Sequence, residues 1–202
     1  MNAYDMEQEN TYIRLKNKIV IVINGKGGAG KDTVCDITSR FFKVRNISAI
    51  TPIKEIAAEF GWNGEKDNKS RKFLSDLKRA FSEYNDLPNR YLEKEYHAFK
   101  ESDADILFVH IREKDQIDAF KQRVDLKCVT MLVQSTRIDN GNKQYGNASD
   151  DNVEEYCYDY CYKNEKPIQE LTEDFMNFIY RLFLKEDVIV RLGASENLPW
   201  NI

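Results

Sequence analysis

The chain has 202 residues, 42% of them hydrophobic and 32% charged, with a net charge of −4. That length allows one domain with a substantial core, and the composition is globular, not disordered. The mildly acidic balance carries no general nucleic-acid footprint, and without a run of eighteen apolar residues no membrane-spanning helix is expected.

Residues 1–17 lack an apolar core and read as a polar extension, not a signal peptide. KIVIVI (18–23) is a continuous apolar run, as in a strand buried on both faces. Residues 31–44 place Val34, Ile37, Phe41 and Val44 at helical spacing, and ISAI (47–50) reads as a short strand. Helical stretches follow at 52–60 and 67–84. In the second, Phe73, Leu74, Leu77, Ala80, Phe81 and Tyr84 fall on one stripe. A helix over 88–101 has Pro88 near its start and Leu92, Tyr96 and Phe99 as its stripe. DILFVHI (105–111) is a third buried strand, residues 113–123 a helix, and KCVTMLV (127–133) a fourth strand.

Residues 135–151 are rich in Gly and Asn and read as a mobile loop, with Asp151 and Glu154 offering a capping box at its end. YCYDYCY (156–162) reads as a strand carrying Tyr156, Tyr158, Tyr160 and Tyr162 on one face, in the core or on a dimer surface. Pro167 opens a helix to about Leu184 with Ile168, Leu171, Phe175, Ile179 and Leu182 inward, and VIVRL (188–192) is an edge strand. The alternation predicts an α/β domain over 18–192, with a mostly parallel sheet of about five strands in three α/β/α layers and a tail at 193–202. Cys35, Cys128, Cys157 and Cys161 form no Cys-x-x-Cys and read as reduced, buried thiols, which makes the cytoplasm the default compartment.

Chemistry enters at Gly25-Lys26-Gly27-Gly28-Ala29-Gly30-Lys31, between the first strand and the first helix. In G-x-x-x-x-G-K the glycines let backbone N–H groups face phosphate oxygens, the lysine bridges the terminal phosphates, and the helix start adds its dipole. Lys31 is therefore the first candidate ligand. Lys26 is either a second phosphate contact or a solvated lysine. Asp32 stands where Ser or Thr is usual. A carboxylate aimed at a triphosphate is repelled by ~4 kcal/mol at 4 Å for an effective dielectric of 20. Asp32 must then turn to a basic partner or reach a metal through water, while the hydroxyl moves one place on, to Thr33.

The stretch GKGGAGKDT resembles the P-loop nucleoside monophosphate kinases (adenylate kinase-like), and within them the deoxynucleoside monophosphate kinases, which often read G-K-D-T. Further segments carry the likeness: Pro52-Ile53-Lys54, then Gly61, Trp62, Gly64 and Lys66, followed by Arg71; FVHIREKDQIDAF (108–120) with Arg112; and residues 147–164. It touches most of 18–180.

The resemblance implies a P-loop kinase fold and transfer of the γ-phosphoryl group of ATP, with Mg²⁺, to a nucleoside monophosphate, with neither nucleic-acid polymer nor membrane as partner. It implies Lys31 on the donor phosphates, Arg112 at the third strand's end and Arg137 in a lid over 135–151. Lys54, Trp62, Lys66 and Arg71 would border the acceptor in a helical region over 51–102. Where many such kinases end the third strand with an Asp near Mg²⁺, this chain has His110. Asp32 or Glu113 through water, with Thr33, or the nucleotide and water alone, would then hold the metal.

KGGAGKDT also resembles the phosphate loop of dimeric partition-type ATPases, in which the position of Lys26 reaches across to the partner's nucleotide. The chain is short for that class and has no Asp-x-x-Gly after a later strand. A GTPase lacks its Asn-Lys-x-Asp here. A related small-metabolite kinase and a nucleotide-binding protein without catalysis stay open, and neither acceptor preference nor oligomeric state is legible.

Overall fold

Strand β1 (Ile19–Asn24) is buried along its whole length, as an unbroken apolar run requires between two covering layers. The structure, a computed structural model, describes residues 14–65, 67–135 and 153–189. β1 pairs in parallel with β3 (Ile106–His110) on one side and β4 (Lys127–Gln134) on the other. β2 (Val44–Ser48) flanks β3, and β5 (Tyr160–Lys163) flanks β4, both in parallel, giving the order β2-β3-β1-β4-β5. Among the described residues five helices lie between these strands, α1 (Lys31–Ser39), α2 (Thr51–Glu59), α3 (Asn68–Asn85), α4 (Leu87–Glu101) and α5 (Lys114–Arg123), and a sixth, α6 (Ile168–Lys185), follows β5.

Alternate residues of β1 face opposite cores. Ile19, Ile21 and Ile23 pack with α1 and α6, through Val34, Ile37, Phe175 and Ile179 among others. Val20 and Val22 pack with α4 and α5, through Leu92, Phe99 and Ile117. The fold is thus the expected three-layer α/β/α domain, with its five strands all parallel. Only β1 sends its chain toward the β2 edge, whereas β2, β3 and β4 send theirs toward the β5 edge. This reversal opens a crevice at the carboxyl end of β1.

Several expected boundaries shift. α1 ends at Ser39, and Val44, expected in it, begins β2, which covers 44–48 instead of 47–50. The apolar spacing persists past Ser39 because Phe41 and Val44 both pack against the α1–α6 core, a tertiary contact with no helical meaning. The four tyrosines also divide. Tyr156 and Tyr158 pack on the α4–α5 side, whereas Tyr160 and Tyr162 pack on the α1–α6 side. The strand starts only at Tyr160, after Asp159 has bound Thr130 through its carboxylate (2.8 and 2.9 Å). Cys35 is buried and Cys128 half-buried, but Cys157 and Cys161 are exposed, contrary to expectation; all four thiols are free.

Helix α3 starts where Asp67 accepts from the Ser70 amide at 2.7 Å, but none of its residues is fully buried. Phe73 is 45% and Tyr84 84% exposed. Lys78 instead turns inward to Glu113 (2.6 Å) and Gln116 (3.2 Å). The helix is rolled so that half of its apolar stripe faces solvent.

Ile189 makes an antiparallel bridge to the buried Leu15, and residues 190–192 of the expected edge strand lie outside the described residues. So do residues 136–151 of the expected loop, Asp151 included; Val153–Glu155 is a short 3₁₀ turn. No described helix is long and apolar enough to cross a membrane.

Candidate functional site

The chain leaves the sheet at Asn24, which is buried and joins two exits. Its Oδ1 accepts from the Gly25 amide (2.9 Å), and its Nδ2 donates to the Arg112 carbonyl (3.3 Å). The loop that follows is confined by its neighbours. A Cβ on Gly25 (φ +150°) would sit 2.3 Å from the Val133 carbonyl oxygen of β4, and one on Gly30 (φ +95°) would sit 2.3 Å from Asn164 Nδ2. Only glycine satisfies both the dihedral and the space at these two places. Gly30 caps α1 without a side-chain hydrogen bond of its own. Lys31 folds over the loop, its Nζ donating to the carbonyls of Gly25 (2.5 Å) and Lys26 (3.0 Å). The Ala29 amide closes the turn onto the Lys26 carbonyl (3.1 Å). Gly27 and Gly28 complete the loop, Gly28 at φ +85°.

Lys26 makes an ion pair with Glu154 (3.2 Å), which also accepts from Gln134 Nε2 (3.2 Å) at the end of β4. It is therefore not a merely solvated lysine. Asp32 is exposed in the first turn of α1, Thr33 half-buried beside it. Among the described residues Asp32 has no ion pair, so of its two expected roles the basic partner is not found there.

His110 closes β3 opposite Ile23 of β1, its Nε2 3.9 Å from the Cys35 Sγ. Burial is the main cause that pushes its pKa down to about 4; the Asp32 charge opposes this, and the cations Lys31, Arg112 and Lys54 add to it. Burial also raises the Cys35 thiol, which stays protonated. Charges from the phosphate loop, α1, α2 and the exit of β3 thus converge on one neutral imidazole. Arg112 is exposed directly after β3, and Lys54 is exposed in the first turn of α2. Glu113 is held by Lys78, which removes it from the groups free to face a metal.

Trp62 follows α2, its amide donating to the Ala57 carbonyl (2.9 Å) while its buried Nε1 has no partner. Arg71 is half-buried in the first turn of α3. Lys66 and Arg137 lie outside the described residues. The structure therefore brings Lys31, Asp32, Lys54 and Arg112 together around His110, while Trp62 and Arg71 belong to the α2–α3 side.

Three residues that motif reasoning passed over belong to this region. Asn164, just beyond β5, donates from Nδ2 to the Ala29 carbonyl (3.0 Å). Glu154 holds Lys26, and Lys78 holds Glu113. Asn164 stands in the segment 147–164 that carried the resemblance, but pairings across the chain leave no periodic signal.

The chain matches no protein-family model and no curated protein sequence. Among solved structures it is similar to TT1252 from Thermus thermophilus, at 17% identity over 83% of this chain and 98% of that one, with a TM-score of 0.49. It is also similar to shikimate kinase from Aquifex aeolicus, at 13% identity over 83% of this chain and 98% of that one, with a TM-score of 0.46. A third is the APS kinase of Mycobacterium tuberculosis in complex with AMPPNP and APS, at 10% identity over 81% of this chain and 98% of that one, with a TM-score of 0.44. At identities this low, the chemistry rests on the residues of the site itself.

Proposed function

We propose that the protein is a phosphotransferase that moves the γ-phosphoryl group of ATP to a nucleoside monophosphate. One observation carries this reading: Lys31 of a preformed phosphate loop shares the surroundings of His110 with two further cations, Arg112 and Lys54, from separate elements. A single triphosphate needs the loop and its lysine. Additional cations beyond the end of β3 suit a second phosphate brought up in line with the first.

In that reading Lys31 leaves the loop carbonyls and takes the terminal donor phosphates. Arg112 and Lys54 neutralise the acceptor phosphate, which allows two anions to approach. An acceptor oxygen forms the new bond to the γ-phosphorus as the bond to the β-bridging oxygen breaks, and ADP leaves. A phosphate monoester is largely dianionic at pH 7, its second pKa being about 6, so no base is required. Mg²⁺ suits the oxygen donors here: the Thr33 hydroxyl, and the exposed Asp32 carboxylate through water. When bound it would supply charge neutralisation for the donor's terminal phosphates. His110, a neutral nitrogen ligand, does not replace a carboxylate on such an ion.

A second reading, a kinase of hydroxyl-bearing metabolites, is favoured by His110 itself. A hydroxyl acceptor must lose a proton, and His110 is an unprotonated imidazole amid the site. It is a weak base while burial and the neighbouring cations hold its pKa at about 4, and a stronger one once bound phosphates neutralise those cations. The Lys26–Glu154 pair engages that lysine within its own chain, which does not favour the dimeric ATPase.

The test is ADP release from ATP·Mg²⁺ with each ribo- and deoxyribonucleoside monophosphate in turn. Turnover of one or a few monophosphates, retained in His110→Gln, supports the first reading. Indifference to every monophosphate contradicts it, and turnover of a hydroxyl acceptor that collapses in His110→Gln establishes the second.

A further inference from the structure

The phosphate loop carries two lysines, and the chain holds both of them with its own oxygens. Lys31 donates to the carbonyls of Gly25 and Lys26, whereas the Lys26 ammonium goes to the Glu154 carboxylate (3.2 Å). The backbone at Lys26 is fixed, since its carbonyl also accepts from the Ala29 amide (3.1 Å). The side chain is not so confined. It is 44% exposed and that of Glu154 is 45% exposed, so solutes reach the pair. A lysine rooted in a phosphate cradle, with its ammonium at the surface, can turn to either of two anions, the carboxylate or a phosphate.

Glu154 is held from behind. Its Oε1 accepts from Gln134 Nε2 (3.2 Å) at the end of β4, and Gln134 Oε1 accepts from the Cys161 thiol of β5 (3.1 Å). Val153, next to it, is buried, and its carbonyl accepts from the Tyr158 hydroxyl (2.7 Å). When Lys26 turns away, Glu154 therefore stays in place with the Gln134 donor and water. The exchange costs little: a half-exposed ion pair is weak, whereas a triphosphate offers the lysine several charged oxygens at once. Because β4 is the neighbour of β1, the pair also stands beside the crevice at the end of β1. We infer that Lys26 is a second ligand of the donor's phosphates and that Glu154 is its built-in competitor. Glu154 is then a positioning residue, which holds the lysine at the loop and yields it as the triphosphate seats. Binding and release swap one anion for another on Lys26, so donor binding is weakened and ADP leaves faster. This inference rests on the phosphotransferase reading for its donor site, but it does not depend on which acceptor is used.

The experiment is calorimetric binding of ATP·Mg²⁺ and ADP·Mg²⁺ to the full chain, to Glu154→Gln, to Lys26→Ala, to the double variant and to Lys31→Ala. Glu154→Gln should tighten both nucleotides about fivefold. Lys26→Ala should weaken ATP about tenfold. Without Lys26, Glu154→Gln should change ATP affinity by less than about twofold, because only a salt-screened repulsion between carboxylate and phosphates is left. The sign separates this from a structural role, since loosening a support of the loop weakens ATP binding. Unchanged or weaker binding in Glu154→Gln overturns the inference. So does an equal gain with and without Lys26, which would make Glu154 a distant charge. Full affinity in Lys26→Ala overturns it whether or not the Glu154 variants fold. If ATP binding depends on Lys31 but on neither Lys26 nor Glu154, the competitor falls alone; if wild type binds no ATP, or binds it regardless of Lys31, the donor site falls with it.

Discussion

The β4–β5 flank of the phosphate loop and the β2–β3 flank hold their parts in different ways. On the first, the loop backbone is closely packed: Gly25 lies against the Val133 carbonyl and Gly30 against the Asn164 side-chain amide, and a methyl group at either place would clash. On the second, α3 buries no residue completely and is held inward by Lys78, while Phe73 and Tyr84 face solvent. Close packing fixes geometry without a ligand, whereas a helix held by an ion pair can shift at modest cost. The difference suits a donor site that exists before binding and an acceptor side that adjusts to what enters.

The largest effect expected from breaking this contrast is on the rigid flank. Gly25→Ala forces a Cβ to 2.3 Å from a backbone oxygen at a φ of +150°. It should cost about 3 kcal/mol or more in urea unfolding, with loss of triphosphate binding. A variant within about 1 kcal/mol of wild type would show that the loop yields.

His110, at the boundary of the two flanks, comes next. Its pKa is lowered to about 4 from 6.5, so the unfolded chain binds more protons than the folded one between those values. Stability should therefore fall as pH drops from about 6.5 to 4, by up to about 3 kcal/mol from this group. His110→Gln should flatten that part of the profile; an unchanged slope would place the titration elsewhere.

On the adaptable flank, Lys78→Ala strands Glu113, whose side chain is 32% exposed. A loss of about 2 kcal/mol is expected, less than for a fully buried pair, and the double replacement Lys78→Met with Glu113→Leu should recover most of it. A double variant as unstable as the single one would mean that the pair is not what holds α3. Smaller still, Phe73→Ser should cost about 1 kcal/mol for the half of its ring that is covered, and Tyr84→Ser should lie within about 0.5 kcal/mol of wild type. Larger losses would show that this ridge is covered in solution.

The two flanks also differed in how well the sequence announced them. β1, β3 and the loop were legible because apolar runs and a glycine–lysine spacing are local signals. The roll of α3 was not: periodicity finds the apolar stripe but not the partner, and here an inward lysine with a carboxylate to meet sets the orientation. The end of α1 was missed for a related reason, since Phe41 and Val44 keep helical spacing while packing on the α1–α6 core from outside the helix. The tyrosine alternation at 156–162 suggested one face, yet a turn before Tyr160 sends the first two to the other core. His110 was visible as a departure from the resembled pattern. The burial that mainly keeps it neutral, and the cations that add to it from α1, α2 and the exit of β3, meet only in the fold, and no window of sequence contains them. Asn164 and Glu154 act through contacts that span the chain, and the same limit applied to them.

Phosphoryl transfer itself tests the central claim most directly. Incubation of the full chain with ATP·Mg²⁺ and the set of nucleoside monophosphates, followed by ³¹P NMR, observes the product without a coupling enzyme. The account predicts a new nucleoside diphosphate formed in step with ADP, and its loss in Lys31→Ala. Free phosphate as the sole product, or transfer that persists without Lys31, would contradict it.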